Sequence, residues 1–376
     1  MSDASNEAPL AGIKVIELAR ILAGPFAGQI LADLGAEVHK VESPEGDDTR
    51  TWGPPFIDRP DGSKDAAYFH GANRGKDTVI ADFNRAADLN KVKAMIADAD
   101  VVIENFKTGS LAKFGLDYDS LKAKNPRLVY CSITGFGHDG PYAGRAGYDF
   151  IIQGMSGIMD LTGFPDGPPT KIGMAYADIM TGLYGVIGIQ AALHQREKTG
   201  RGQLVDMSLF DVMVGTLGNQ AMNYLASGRS PKRMGNAHPN IAPYEAFEAK
   251  DGWLIVAVGN DRQFKRFCEA IDLPMREEWT SNARRVKNRV SLSAAIALRI
   301  EKMKRDDLLL KMENRSIPAG PINNVKQALN DPQIVARGMV VDLEEEGLKG
   351  LRTPIRFSDA ELSVGRPSPM LPKDED

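Results

Sequence analysis

Two aspartates stand where a carboxylate could do chemistry. Asp149 lies in AGRAGYDF and Asp178 in AYADIM, and each stands at the start of an apolar helical run. A carboxylate pair can share general acid–base work, or one member can attack an electrophile while the other assists. The plain structural alternative is helix capping, because an Asp oxygen can accept an otherwise orphaned helical N–H. The run after Asp178 favours something more constrained than a simple cap. Gly182, Gly185 and Gly188 recur every third residue and strip one helix face of side chains. A helical glycine costs about 1 kcal/mol relative to alanine, so this face must meet a very close neighbour.

Other chemistries are poorly served. The five histidines, His39, His70, His138, His194 and His238, form neither HxxxH nor HExxH, so no metal site is expected. Ser156 in QGMSG lies inside a helical run, not on a strand-to-helix elbow. A scattered basic set, Lys40, Arg50, Arg74, Lys76, Lys107, Lys113 and Arg145, reads either as solvated surface or as a clamp for phosphate oxyanions.

The elements that would carry these residues alternate. Residues 12–18 read as a strand, 26–35 as a helix opened by Gly24 and Pro25, and 37–42 as a second strand. This is a strand–helix–strand unit with a parallel pair. The loop at 19–25 then follows a strand C-terminus, where open sheets bind ligands. Residues 43–76 read as a long loop. Further strands follow at 77–83, 100–106 and 128–136, with an amphipathic helix between the first two. Beyond Gly147 come helical runs at 149–160, 179–197 and 209–226, with a strand at 203–210. Residues 228–243 form a turn-rich linker, 246–260 a hairpin turning at Asp251 and Gly252, 261–315 a mainly helical region, and 317–323 a second loop. A final β pair is expected after residue 338.

A chain of 376 residues with 43% hydrophobic and 26% charged content can fold as two globular domains. The net charge of −4 argues against nucleic-acid binding. Two cysteines, no secretion signal in MSDASNEAPL and no bilayer-length apolar run lead us to expect a cytoplasmic protein without a membrane segment.

Several stretches in order, PLAGIKVIELARILAGPFAGQILADLGAEVHKVESPEGDDTR, NRGKDTV, VVIENFKTGSLAKFGLDYDSL, YCSITGFGHDGPY, AGYDFIIQGMSG, ADIMTGLYG and TGRGQLVDMSLFD, resemble the class III (CaiB/BaiF) CoA-transferases over nearly the whole chain. WGPPF, RMGNAHPNIAPYEAF and GPINNV are most similar to succinate–hydroxymethylglutarate CoA-transferases. The resemblance implies an α/β fold: a Rossmann-like large domain plus a smaller α+β domain, in an interlocked, ring-like homodimer. The large domain would take residues 1–226 and regain the chain at 325–376, with 227–324 forming the small domain and its linkers. It also implies transfer of CoA from an acyl-CoA such as succinyl-CoA to a carboxylic acid, chiefly a dicarboxylate. Asp178 would be the nucleophile, passing through a mixed anhydride and an aspartyl-CoA thioester, with its helix N-terminus keeping it ionised and offering N–H groups to an oxyanion. Asp149 would be a second active-site carboxylate. Arg20, Ile21, Leu22, Ala23, Asn105, Phe106, Lys113, Phe114 and Arg145 would contact coenzyme A, which is a substrate; no tightly bound cofactor is implied.

Departures from the family pattern sharpen this. Leu22 stands where formyl-CoA transferases carry glutamine, and Tyr148 where the related racemases carry histidine. A two-base racemase needs proton acceptors on both sides of the α-carbon, so 2-methylacyl-CoA racemisation is an alternative below transfer, and non-catalytic CoA-ester binding is another. Residues 256–264 match a glycine-rich covering loop but keep only Gly259. The C-terminal RPSPMLPKDED stands where relatives continue into a helix.

Overall fold

The computed structural model describes residues 7–372. The first six residues of the stretch read as lacking a secretion signal, and the last four of the C-terminal segment, lie outside the described residues.

Strand β1 (Lys14–Glu17), helix α1 (Ala23–Asp33) and strand β2 (Glu37–Glu42) form the expected unit, with β1 and β2 parallel. The next stretch, expected as loop, is structured. It carries a 3-10 turn (Asp48–Thr51), a hairpin of β3 (Phe56–Asp58) and β4 (Lys64–Ala66), and the short helix α2 (Ala67–His70). Its order comes from buried ion pairs that no periodicity reports: Arg50 binds Glu42 at 2.8 Å and Asp65 at 3.1 Å. Then follow β5 (Lys76–Ile80), α3 (Ala86–Ala97), β6 (Val101–Glu104), α4 (Tyr118–Leu121), β7 (Val129–Thr134), α5 (Asp149–Met155), α6 (Ile158–Leu161), α7 (Tyr176–Thr199), β8 (Leu204–Ser208), α8 (Leu209–Gly215) and α9 (Asn219–Ser227). The run expected as one helix from 209 is broken at Gly218, whose φ of +54° lies in the left-handed region.

Six parallel strands form one sheet in the order β5-β2-β1-β6-β7-β8. The order reverses between β1 and β6, the switch point beyond whose strand ends such sheets open a crevice. Strand alternation distributes the core between two faces. Val15, Val101, Ile103, Val129 and Cys131 join α1 and α7 on one side, while Ile16, Val102 and Tyr130 join α3 on the other.

Helix α7 owes its position to its glycines. A Cβ on Gly182 would stand 2.7 Å from the Ala23 carbonyl oxygen of α1, and one on Gly188 would stand 2.7 Å from Val205 Cγ1. The bare face therefore serves two neighbours, α1 and the sheet.

Chain contacts divide the protein into one unit of Met1–Ile158, Lys171–Leu225 and Pro332–Asp376, and another of Met159–Thr170 and Ala226–Asp331. In the first, the C-terminal segment is bound by side chains. Asp33 accepts the Thr353 N–H at 2.7 Å, and Arg59 donates to the Ser368 carbonyl at 2.7 Å. It carries α15 (Pro332–Ala336) and the expected β pair, β12 (Val340–Asp342) with β13 (Lys349–Leu351).

The second unit pairs β9 (Tyr244–Ala249), β10 (Gly252–Ala257) and β11 (Ala319–Pro321) antiparallel, covered by α10 (Asp261–Ala270), α11 (Asn282–Lys287), α12 (Arg289–Ile300) and α13 (Arg305–Glu313), with α14 (Val325–Leu329) after them. Two expectations change here. Ala249 pairs with Gly252, so the hairpin turns on Lys250 and Asp251. Residues 319–321, expected as loop, form a third strand.

Because the obstruction at Gly182 is backbone, Gly182→Ala should push α7 from α1 and cost about 1–3 kcal/mol. Chemical denaturation of the two proteins checks this.

Candidate active site

A cleft of about 560 Å³ opens at the switch point. Its walls are the loops after β1, β6 and β7, contributing Arg20 to Ala23, Asn105 to Thr108, and Thr134 with Gly135, and its lining includes Asp149 and Asp178. Arg145, Tyr148, Trp52 and Asp48 complete the part where charge and aromatic surface meet.

Asp178 is not the helix cap expected from sequence. Helix α7 begins at Tyr176, so Asp178 sits in its first turn behind the cap residue Ala175. The cap comes from the other aspartate. Asp149 Oδ1 accepts the Ala177 N–H at 2.8 Å, and its Oδ2 accepts from Gln153 Nε2 at 2.8 Å. Gln153 is fully buried, and its carbonyl oxygen accepts the Ile172 N–H at 2.9 Å. One glutamine thus aligns Asp149 and the approach to α7 together.

The electrostatic expectation also changes. Burial, and then the neighbouring Asp149 carboxylate, push the Asp178 carboxyl up to about 7. A helix N-terminus favours the anion by at most about 2 kcal/mol and does not cancel desolvation plus a like charge. The N–H groups of the first turn are also largely spent. Tyr176 donates to Met174, Ala177 to Asp149 and Ile179 to Ala175. Asp178 therefore changes charge near neutrality.

Asp178, Asp149, Arg20, Ile21, Leu22, Ala23, Asn105, Phe106 and Arg145 come together in one cleft. Lys113 and Phe114 do not line it. The Lys113 ammonium lies 4.6 Å from the Phe114 ring centroid, and Phe114 packs edge-on to Phe83 at 5.5 Å. Asn105 spends its side chain on protein: Oδ1 accepts the Arg20 N–H at 2.8 Å and Nδ2 donates to the Arg20 carbonyl at 2.6 Å. Arg20 pairs with Asp48 at 3.2 Å, while Arg145 stacks on Tyr142 at 4.5 Å. The broader phosphate clamp is corrected. Lys40, Arg50, Arg74 and Lys76 are buried in ion pairs with Glu17, Glu42 and Asp33. They hold the fold and do not face a ligand.

The sequence reading missed Trp52 as a wall residue and Tyr68 beside it, their rings edge-on at 5.3 Å. Partial burial, then the charges of Asp178, Asp149 and Asp47, push the Tyr68 hydroxyl up to about 12, so it remains a donor near the carboxylates. The signal was present in WGPP and AAYF, in the stretch read as loop. Among the described residues no cluster of His, Cys, Asp and Glu is arranged to hold a metal ion. No helix among them is long and apolar enough to cross a membrane.

Comparison with known proteins agrees with this geometry. A model of CoA-transferase family III matches residues 10–375. The succinate–glutarate CoA-transferase of Agrobacterium fabrum is 53% identical over 99% of this chain and 95% of its own. The human succinyl-CoA:glutarate CoA-transferase is 40% identical over 98% of this chain and 85% of its own. A crystal structure of a CAIB/BAIF family protein from Brucella suis superposes with a TM-score of 0.89 at 60% identity, covering 97% of both chains.

A carboxyl raised from 3.8 to about 7 couples to stability with a definite sign. Between those values the folded state holds a proton that the unfolded state has lost, so stability falls as pH rises and levels off above about 7. Asp178→Asn, neutral throughout, should be more stable than wild type by roughly 2–4 kcal/mol at pH 8. The gap should close toward pH 4. Denaturation across that range measures it.

Proposed function

The chain belongs to CoA-transferase family III and is a CoA-transferase, and from that membership and the cleft we propose that it carries CoA from succinyl-CoA to a dicarboxylate such as glutarate through covalent intermediates on Asp178. The single observation that carries the covalent route is a desolvated carboxylate, with Asp149 behind it, at the floor of a switch-point cleft.

An Asp178 oxygen attacks the thioester carbonyl carbon, the C–S bond breaks, and CoA leaves as thiolate. The product is a mixed anhydride. The thiolate then attacks the aspartyl carbonyl, the donor acid departs as carboxylate, and an aspartyl-CoA thioester remains. The acceptor carboxylate attacks that thioester and the two steps run backward, restoring Asp178. The thioester energy is kept in a covalent bond while the acids exchange, which requires that water be kept out. Desolvation makes the ionised form of Asp178 reactive, and Asp149 keeps its helix turn in place.

The phosphate-bearing end of CoA would meet Arg20, Lys107 and Arg145, the cations of the cleft, with Phe106 offering an apolar wall. Residues 256–264 are held closed on themselves. Gln263 accepts the Gly259 N–H at 2.9 Å and donates its own N–H to Asn260 at 2.9 Å. We read this as a fixed cap on α10 and not as a moving lid.

We also propose self-association, in the interlocked arrangement expected of the family, and a cytoplasmic location. Supporting the first, α5 and α7 leave the large apolar side chains of Phe150, Ile151, Leu183, Tyr184 and Ile187 exposed, and exposed apolar surface of this kind marks interaction sites where it is contiguous.

Asp178→Ala should lose transfer by at least about 10³-fold while still binding CoA. Mass spectrometry of wild type quenched with succinyl-CoA should find CoA mass on the peptide holding Asp178. Full transfer by the variant sinks the route, and α-deuterium exchange of a 2-methylacyl-CoA in its place would support racemisation. Light scattering should find a dimer, which Ile187→Glu shifts toward monomer.

A further inference from the structure

Three non-glycine residues among those described have a left-handed backbone: Ile21, Asp272 and Ser316. Ile21 is the β-branched one and lies in the wall of the cleft, with φ of +70°. For a side chain branched at Cβ this conformation is disfavoured by roughly 5- to 30-fold, so it persists only where the surroundings impose it.

The surroundings grip each residue from 19 to 21. Lys40 Nζ donates to the Ala19 carbonyl at 2.9 Å. The Asn105 amide brackets both backbone groups of Arg20. The Ile21 N–H points between the two Asp47 oxygens, at 3.2 and 3.4 Å. Asp47 is itself fixed: it accepts from the Thr49 N–H at 3.0 Å, pairs with Lys40 at 2.9 Å, and donates its own N–H to Glu42 at 2.8 Å. Lys40 is fully buried. Its charge cannot move to water, and it ties the Asp47 carboxylate to the end of β1.

We propose that Asp47 is a positioning residue for CoA transfer: paired to buried Lys40, it holds Ile21 in the left-handed conformation and so fixes the Ile21–Leu22 wall of the cleft that contains Asp178. The inference rests on the cleft being the transferase site. Asp47 touches no reacting atom. Without its acceptor, Ile21 relaxes to an ordinary backbone, Leu22 turns with it, and the wall is lost.

The test separates backbone from side chain. In Asp47→Ala, which removes both acceptor oxygens, kcat/KM for transfer from succinyl-CoA to glutarate should fall about tenfold or more. Adding Ile21→Gly should recover most of that loss, because glycine adopts the left-handed conformation without a Cβ penalty. Adding Ile21→Ala should recover none, although both remove the side chain from the cleft. Undiminished activity in Asp47→Ala, or equal recovery by Gly and Ala, overturns the proposal. Should Asp47→Ala not fold, the single variants decide: Ile21→Gly must melt above Ile21→Ala and be the more active, and the reverse order overturns it. A wild-type protein that transfers no CoA would bring down the functional reading itself, a result distinct from a failed rescue in an active enzyme.

Discussion

An oxygen of Asp149 accepts the N–H of Ala177, and the floor of the cleft depends on that contact. It ends the orphaned turn of α7 with a side chain from α5, so the two helices that carry the carboxylates cannot move independently. It also brings the two negative charges close enough to interact. Capping in this case is a tertiary bond, and it sets the Asp149 charge beside Asp178, whose proton affinity burial raises first and that charge raises further. The helix gains a cap, and Asp178 is left desolvated beside a like charge.

The opposite wall is held in a different way. Glu17 ends β1 between two buried ammonium groups, Lys40 at 3.1 Å and Lys76 at 2.8 Å. Burying so many charges is costly unless each finds partners. Here the partners include the Ala19 and Pro25 carbonyls, which belong to the loop and helix that line the cleft. The charge cluster therefore works as a rigid mount. Basic residues that read as surface in the sequence lie inside because buried carboxylates and carbonyls receive them.

Much of the candidate cleft was legible beforehand. The loop after the first strand was expected to contact ligand because a parallel strand–helix–strand unit opens there, and residues 20–23 line the cleft. Both aspartates were singled out from their places before apolar runs, and the glycine repeat of α7 was rightly taken to mark a close neighbour. Misreadings had local causes. Residues 43–76 lack periodic hydrophobicity because ion pairs, not an apolar face, order them. Trp52 and Tyr68 were overlooked with them.

What the sequence determined by itself was the alternation of strands and helices, the candidate carboxylates and the family, since each resides in residue order and local pattern. Only the tertiary structure decided which aspartate caps which helix, how the Asp178 carboxyl responds to its surroundings, and that Ile21 must adopt a backbone it would not choose. Those outcomes depend on groups far apart in the chain, such as Arg20 with Asn105 and Ile21 with Asp47. Burial and through-space charge arise only when the fold brings such groups together.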